Sequence, residues 1–257
     1  MQLFKIVSAF ILIGGVACTK NINVDLKNAS PQLVIEGIVD NQQAATVQIS
    51  KSVPFSSSNN FPAVSGAVVS ISDNHNNSYV LTESSPGKYS NPLLIGVPGT
   101  SYTLSVVVDT KQYNAQSTMP VKVNLDTLLF EKFALGNKST YTVKPQYIDP
   151  AGFGNNYKFY ETINNRTYPI FWVWDDRFTN NGTSTRPLIQ SDSTINIGDT
   201  VQVEMQCVDA NVYRYFVALL DVEQNNTVPA NPTSNISGGC LGYFSAQTSQ
   251  KKKVQVK

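Results

Sequence analysis

Few residues in this sequence have the type and spacing to do chemistry. His75 is the only histidine among 257 residues, and it stands in Asp73-Asn74-His75-Asn76-Asn77, a polar run of turn-forming residues. A histidine base needs an oriented partner and shelter from water, and a hairpin tip offers neither. The same run alternates oxygen-bearing side chains as a cation loop would, yet it lacks the glycine and terminal glutamate of an EF-hand. Asp175 and Asp176 could divide acid and base roles at a glycosidic bond, with Trp172 and Trp174 offering faces on which a sugar stacks. Adjacent strand residues point to opposite faces, so these two carboxylates are not expected to share one bond. No Gly-x-Ser-x-Gly elbow, phosphate-cradling glycine loop or CxxC pair occurs. The residues therefore predict no catalytic group, no metal and no cofactor, and leave Trp172 and Trp174 as candidate stacking positions for a ligand.

The three cysteines divide by position. Residues 1–17 carry one cation, Lys5, then an apolar run over 6–13 and small residues before Cys18, which is the layout of a secretory signal peptide. The run is shorter than the roughly 20 residues a bilayer-spanning helix needs. Gly15-Val16-Ala17-Cys18 resembles the lipobox of bacterial lipoproteins, in which the cysteine is acylated and the signal is cut off before it. That resemblance implies a lipid anchor at Cys18, with the membrane as a partner. Thr19 replaces the Asp that, in enteric bacteria, accompanies inner-membrane retention, so the outer membrane is expected and its exposed side stays open. Residues 18–30 read as a polar tether. Cys207 and Cys240 remain: in an oxidising envelope they could form a disulfide, or they could stay as two buried thiols.

Charge narrows the field further. With 19 Lys and Arg against 18 Asp and Glu, the formal net charge is +1, and removing residues 1–17 with Lys5 brings it to zero. Such a chain offers no clustered positive footprint for a nucleic acid. Twelve Tyr and twelve Phe, with abundant Val and Ile, supply enough apolar area to order the chain.

The elements that must position these residues are mostly strands. Across 31–123, short runs rich in β-branched and aromatic residues, such as Thr46-Val47-Gln48-Ile49-Ser50 and Tyr102-Thr103-Leu104-Ser105-Val106, alternate with Asn, Pro and Gly turns. This spacing predicts an antiparallel β-sandwich of transthyretin-like or Ig-like type. The style changes near Met119-Pro120: residues 121–135 read as a connection into a second β-rich domain over 124–257, with strands at 170–174 and 200–206 and a polar loop at 175–185. Two closing strands are expected at 241–246 and 253–256. One amphipathic helix is predicted near 210–224, capped by Asp209, with Val212, Tyr215, Phe216 and Leu219 on one face and Asn225-Asn226 ending it. It would cover an open sheet face.

The segment with Asn231-Pro232, Asn235-Ile236, Gly238-Gly239 and Leu241-Gly242-Tyr243-Phe244 is the most distinctive in the chain. It resembles the closing motif of the DUF4249 lipoprotein family of Bacteroidetes. Ser52-Val53-Pro54, Gly87-Lys88-Tyr89, Tyr113-Asn114-Ala115, Met119-Pro120 and Asp149-Pro150 agree with it. The resemblance implies an outer-membrane lipoprotein, often paired with a TonB-dependent transporter, and brings no catalytic residues. The glycine and aromatic steps of the motif themselves read as a tight backbone approach plugged by rings. Asp126-Thr127, Asp192-Ser193 and Asp199-Thr200 resemble the Asp-Ser/Thr acceptor of Bacteroidetes O-glycosylation, which would make Thr127, Ser193 and Thr200 sugar attachment points. The expected function is that of a non-enzymatic, lipid-anchored accessory or binding protein of the outer membrane. The alternatives are an adhesin or envelope-structure protein and, third, a glycan-acting enzyme using Trp172, Trp174, Asp175 and Asp176.

Overall fold

Alternation of burial builds the first half. In the strand Ser101–Val108 (β6), Tyr102, Leu104 and Val106 point inward while Thr103 points to solvent. The computed structural model of the chain describes residues 30–54, 60–135, 138–189, 194–224 and 231–257; the signal peptide, Cys18, nearly all of the tether and Ser193 lie outside them. Around β6 stand Leu33–Asp40 (β1), Ala44–Lys51 (β2), Val68–Asp73 (β3), Ser78–Ser85 (β4), Lys88–Ile95 (β5) and Lys111–Thr118 (β7). Ile35, Val47 and Ile49 from one side meet Val69, Ile71, Leu104 and Val106 from the other in a single core. The chain is mainly β, and this half has the expected sandwich form. Strand β4 turns the corner between its layers. Tyr79 and Leu81 pair with β3, whereas Thr82 and Glu83 pair with β5, and a bulge follows Glu83.

The second half contains a long hairpin where a connection was expected. Leu125–Leu135 (β8) and Lys138–Ile148 (β9) pair along their length, with a bulge after Leu125 that breaks the alternation a reader of the sequence would look for. Asn156–Ile163 (β10), Arg166–Asp175 (β11), Thr183–Ser184 (β12) and Thr200–Val208 (β13) follow. Tyr157, Phe159, Val203 and Met205 form a second core with Leu125, Leu128, Val143 and Tyr147 of the hairpin. On the other face of the same sheet lies the helix Ala210–Gln224 (α1), whose Val212 and Phe216 pack on Phe171 and Val208. Asp209 caps it: its Oδ1 accepts from the backbone N–H of Asn211 and Val212, both at 2.9 Å.

Two closing strands were expected, and the structure has one. After the short Ile236–Ser237 (β14), Leu241–Gln255 (β15) runs unbroken and changes partners midway. Its residues 241–247 pair with β1 in parallel, and residues 248–255 pair with β13 antiparallel. Phe244 and Ala246 therefore belong to the first core, while Val254 packs on the second. This strand lies wholly within 124–257 yet pairs with β1 of the first region, and Pro31–Lys257 forms one compact unit. A polar set marks the hand-over. Asp40 accepts from Ser249 Oγ at 2.8 Å and Gln247 Nε2 at 3.2 Å, and Ser117 Oγ accepts from Ala246 N at 2.8 Å and donates to the Asp209 carboxylate.

Candidate functional site

The outer face of the first sheet carries a row of four unlike side chains. Tyr243 of β15 pairs with Glu36 of β1, Glu36 with Gln48 of β2, and Gln48 with Lys88 of β5. Cross-strand partners project to one face, so an aromatic ring, an acid, an amide and a base stand side by side. A parallel row, Ile38, Thr46 and Ser90, lies next to it. Two adjoining concavities of about 400 and 390 Å3 share Glu36 and Gln48. The second is walled by Tyr215 and Leu219 of α1 together with Pro232. A concave site with apolar walls and a few convergent polar groups is the usual form of a small-molecule site.

Electrostatics single out Glu36. It keeps contact with solvent, but the groove walls strip enough water from its carboxyl to hold it above the usual carboxylate range. Its charge is felt by both tyrosines: Tyr215 is pushed up to about 12 by burial and by Glu36, and Tyr243 is raised by burial first and then by its neighbours. These two rings lie 5.2 Å apart, and Phe216 meets Tyr243 at 4.9 Å. Beneath α1, the same aromatic group surrounds Lys158, which is 2% exposed. Its Nζ sits 3.9 Å from the centre of Phe216, 5.2 Å from Tyr160 and 5.9 Å from Tyr243. Burial lowers this amine to about 7, against the opposing pull of Glu204.

The family described as Domain of unknown function (DUF4249) matches residues 19–253. The chain belongs to the DUF4249 family. No curated protein matches it.

The distinctive segment of this DUF4249 chain has a structural role that its residues explain. Asn235 takes the place of a neighbouring strand, donating from Nδ2 to the Phe244 carbonyl at 2.7 Å and accepting from Phe244 N at 2.9 Å. Phe244 fills the space above Gly37, where a Cβ would meet its ring at 2.9 Å. Gly242, at φ 97°, lets β15 close on β1 and so places Tyr243 beside Glu36. The motif thus builds one wall of the groove.

The residues singled out by type are placed elsewhere. Trp172 and Trp174 lie half-buried against the second core; Trp174 stacks on Phe159 at 4.6 Å, and Trp172 donates to the Ile189 carbonyl at 3.2 Å. Asp175 pairs with Arg177 at 2.7 Å and accepts from Tyr213 at 3.1 Å, whereas Asp176 accepts from Gly154 N and Asn155 N at 2.7 and 2.9 Å. The two acids anchor different segments. Asp73 turns inward to accept from His75 N and Asn77 N, both at 2.9 Å, closing the hairpin that carries His75. Among the described residues no group of three or more His, Cys, Asp or Glu side chains is placed to hold a metal. Thr127 and Thr200 stand half-buried on β8 and β13. The structure has no bond between Cys207 and Cys240. Both thiols are free and buried, Cys207 in the second core and Cys240 in the first. Burial raises both, Cys240 to about 11.

Residue type alone could not find the groove, since its row joins positions 36, 48, 88 and 243. The available signal was the outward phase of each strand, where Glu36, Gln48 and Lys88 alternate with buried neighbours.

Proposed function

We propose that this protein is a non-enzymatic binding module, lipid-anchored to the outer membrane through Cys18, that holds a small polar ligand in the groove of Glu36 and Gln48. The observation that carries this reading is the row Tyr243, Glu36, Gln48 and Lys88 on one sheet face beside α1. Asp175 and Asp176 support a non-catalytic role, since each is committed to holding structure. The lipobox resemblance supports the anchor, and the family resemblance supports work alongside a TonB-dependent transporter.

Filling the groove with Gln48→Trp tests the binding site. In thermal-shift measurements on a panel of oligosaccharides, amino acids, polyamines and short peptides, a true ligand stabilises the parent chain and loses that effect in the variant. If every stabilising compound acts equally on both, the groove is not the site. For the anchor, Cys18→Ala should release the protein from membranes, and retention in the membrane fraction overturns lipidation. Affinity purification from solubilised membranes should recover a transporter barrel; repeated recovery of this chain alone rejects the partnership.

A further inference from the structure

Glu36 is a carboxylate with no counter-ion among the described residues, in a setting that costs it hydration. The ion pairs among the described residues are Lys144–Glu131, Arg177–Asp175 and Lys251–Glu204, and none involves Glu36. Its partners across the sheet are the uncharged Tyr243 and Gln48. Lys88 is two strands away, roughly 10 Å at ordinary strand spacing. A partly desolvated charge gains most from an opposite charge brought to it, more than from neutral hydrogen-bond donors.

The wall beside Glu36 suits a cation as well. Tyr243 stands opposite Glu36 across β15 and β1, and Tyr215, its electron-rich ring 5.2 Å from that of Tyr243, lines a concavity with Glu36. Ring faces combined with a carboxylate form the usual receptor for organic ammonium groups. The apolar Leu219 and Pro232 beyond Tyr215 would face the carbon frame of such a ligand.

We propose that the ligand of this groove carries an organic ammonium group, bound by the Glu36 carboxylate against the rings of Tyr215 and Tyr243. This rests on the groove being the binding site, and the test separates the two ideas. Calorimetric titrations of the detergent-solubilised full chain would use phenethylammonium as the cationic probe and maltotriose as the neutral one. Phenethylammonium should bind, tetramethylammonium should compete with it, and Glu36→Gln should weaken it at least 10-fold while circular dichroism and the thermal midpoint stay those of the parent. Gln48→Trp should abolish it. Absence of phenethylammonium binding, or equal binding to Glu36→Gln, overturns the ammonium assignment. If maltotriose binds the parent and Glu36→Gln alike but not Gln48→Trp, the groove stands as a binding site and the ammonium assignment fails. Phenethylammonium binding that survives Gln48→Trp overturns both.

Discussion

Gly242 approaches Ile35 so closely that a Cβ built on it would lie 2.0 Å from the Ile35 carbonyl oxygen. Its φ of 97° is also one that L side chains rarely adopt. This contact sits where β15 joins β1 in parallel, and it sets the register that brings Tyr243 opposite Glu36. Gly242→Ala must therefore move the strand or strain the backbone, and should destabilise the protein by about 2 kcal/mol or more. Denaturant unfolding gives the loss directly. A midpoint equal to the parent's would mean that the close approach is not required.

Stability should pass through a minimum near neutral pH. Glu161, fully buried, is raised by burial from 4.5 to about 7, so between those values the folded chain keeps a proton that the unfolded chain has released, and stability falls as pH rises. Lys158 is lowered by burial from 10.5 to about 7, so above 7 the folded chain has released a proton that the unfolded chain keeps, and stability rises again. The hydrogen-bonded carboxylates of Glu83, Asp73 and Asp199, held below their ordinary values, act only at lower pH. Unfolding free energies at pH 5, 7 and 9 should be lowest at 7. A maximum at pH 7 contradicts this account.

The two limbs can be removed separately. Lys158→Met should flatten the rise above pH 7 and raise stability at neutral pH by about 1 to 4 kcal/mol, because a buried amine with no ion pair among the described residues is replaced by a chain of similar volume. Glu161→Gln should flatten the fall between 4.5 and 7. If Lys158→Met lowers stability at pH 7, the amine is held by more than the surrounding rings.

Helix α1 is tied to the sandwich through Ser117. Its hydroxyl accepts from Ala246 N at 2.8 Å and donates to Asp209, the residue that caps the helix. Asp209→Ala should cost about 1 to 2 kcal/mol as a lost cap. A double-mutant cycle with Ser117→Ala should give a coupling of about 0.5 kcal/mol or more, whereas strict additivity would show that the two positions act independently.

Neither Cys207 nor Cys240 should react with a thiol reagent in the folded chain, since both are buried and both thiols are raised in pKa. Both should react once the chain is unfolded without reductant. Failure of both to react after unfolding would reveal a bridge.

Much of the scaffold was legible in local patterns. The two-residue alternation in β1, β2, β3 and β6 and the 3.6-residue period of α1 with its Asp209 cap follow from short-range sterics and hydrogen bonding, which act within a few residues. The same locality hides features that depend on distant partners. A bulge in β8 breaks its alternation, so the β8–β9 hairpin looked like a connection, and the partner change after Gln247 made one strand look like two.

The mainly β character, the helix with its cap and the need for glycine at the closing motif follow from local chemistry, because each depends on a residue's own conformational freedom or on near neighbours. Which residues share a face follows from long-range packing instead. The parallel pairing of β15 with β1 joins positions about two hundred apart along the chain, sends Cys207 and Cys240 into different cores, and sets Tyr243 beside Glu36. Strand pairing of such separation is chosen by how two whole faces bury together, and no local pattern carries that information.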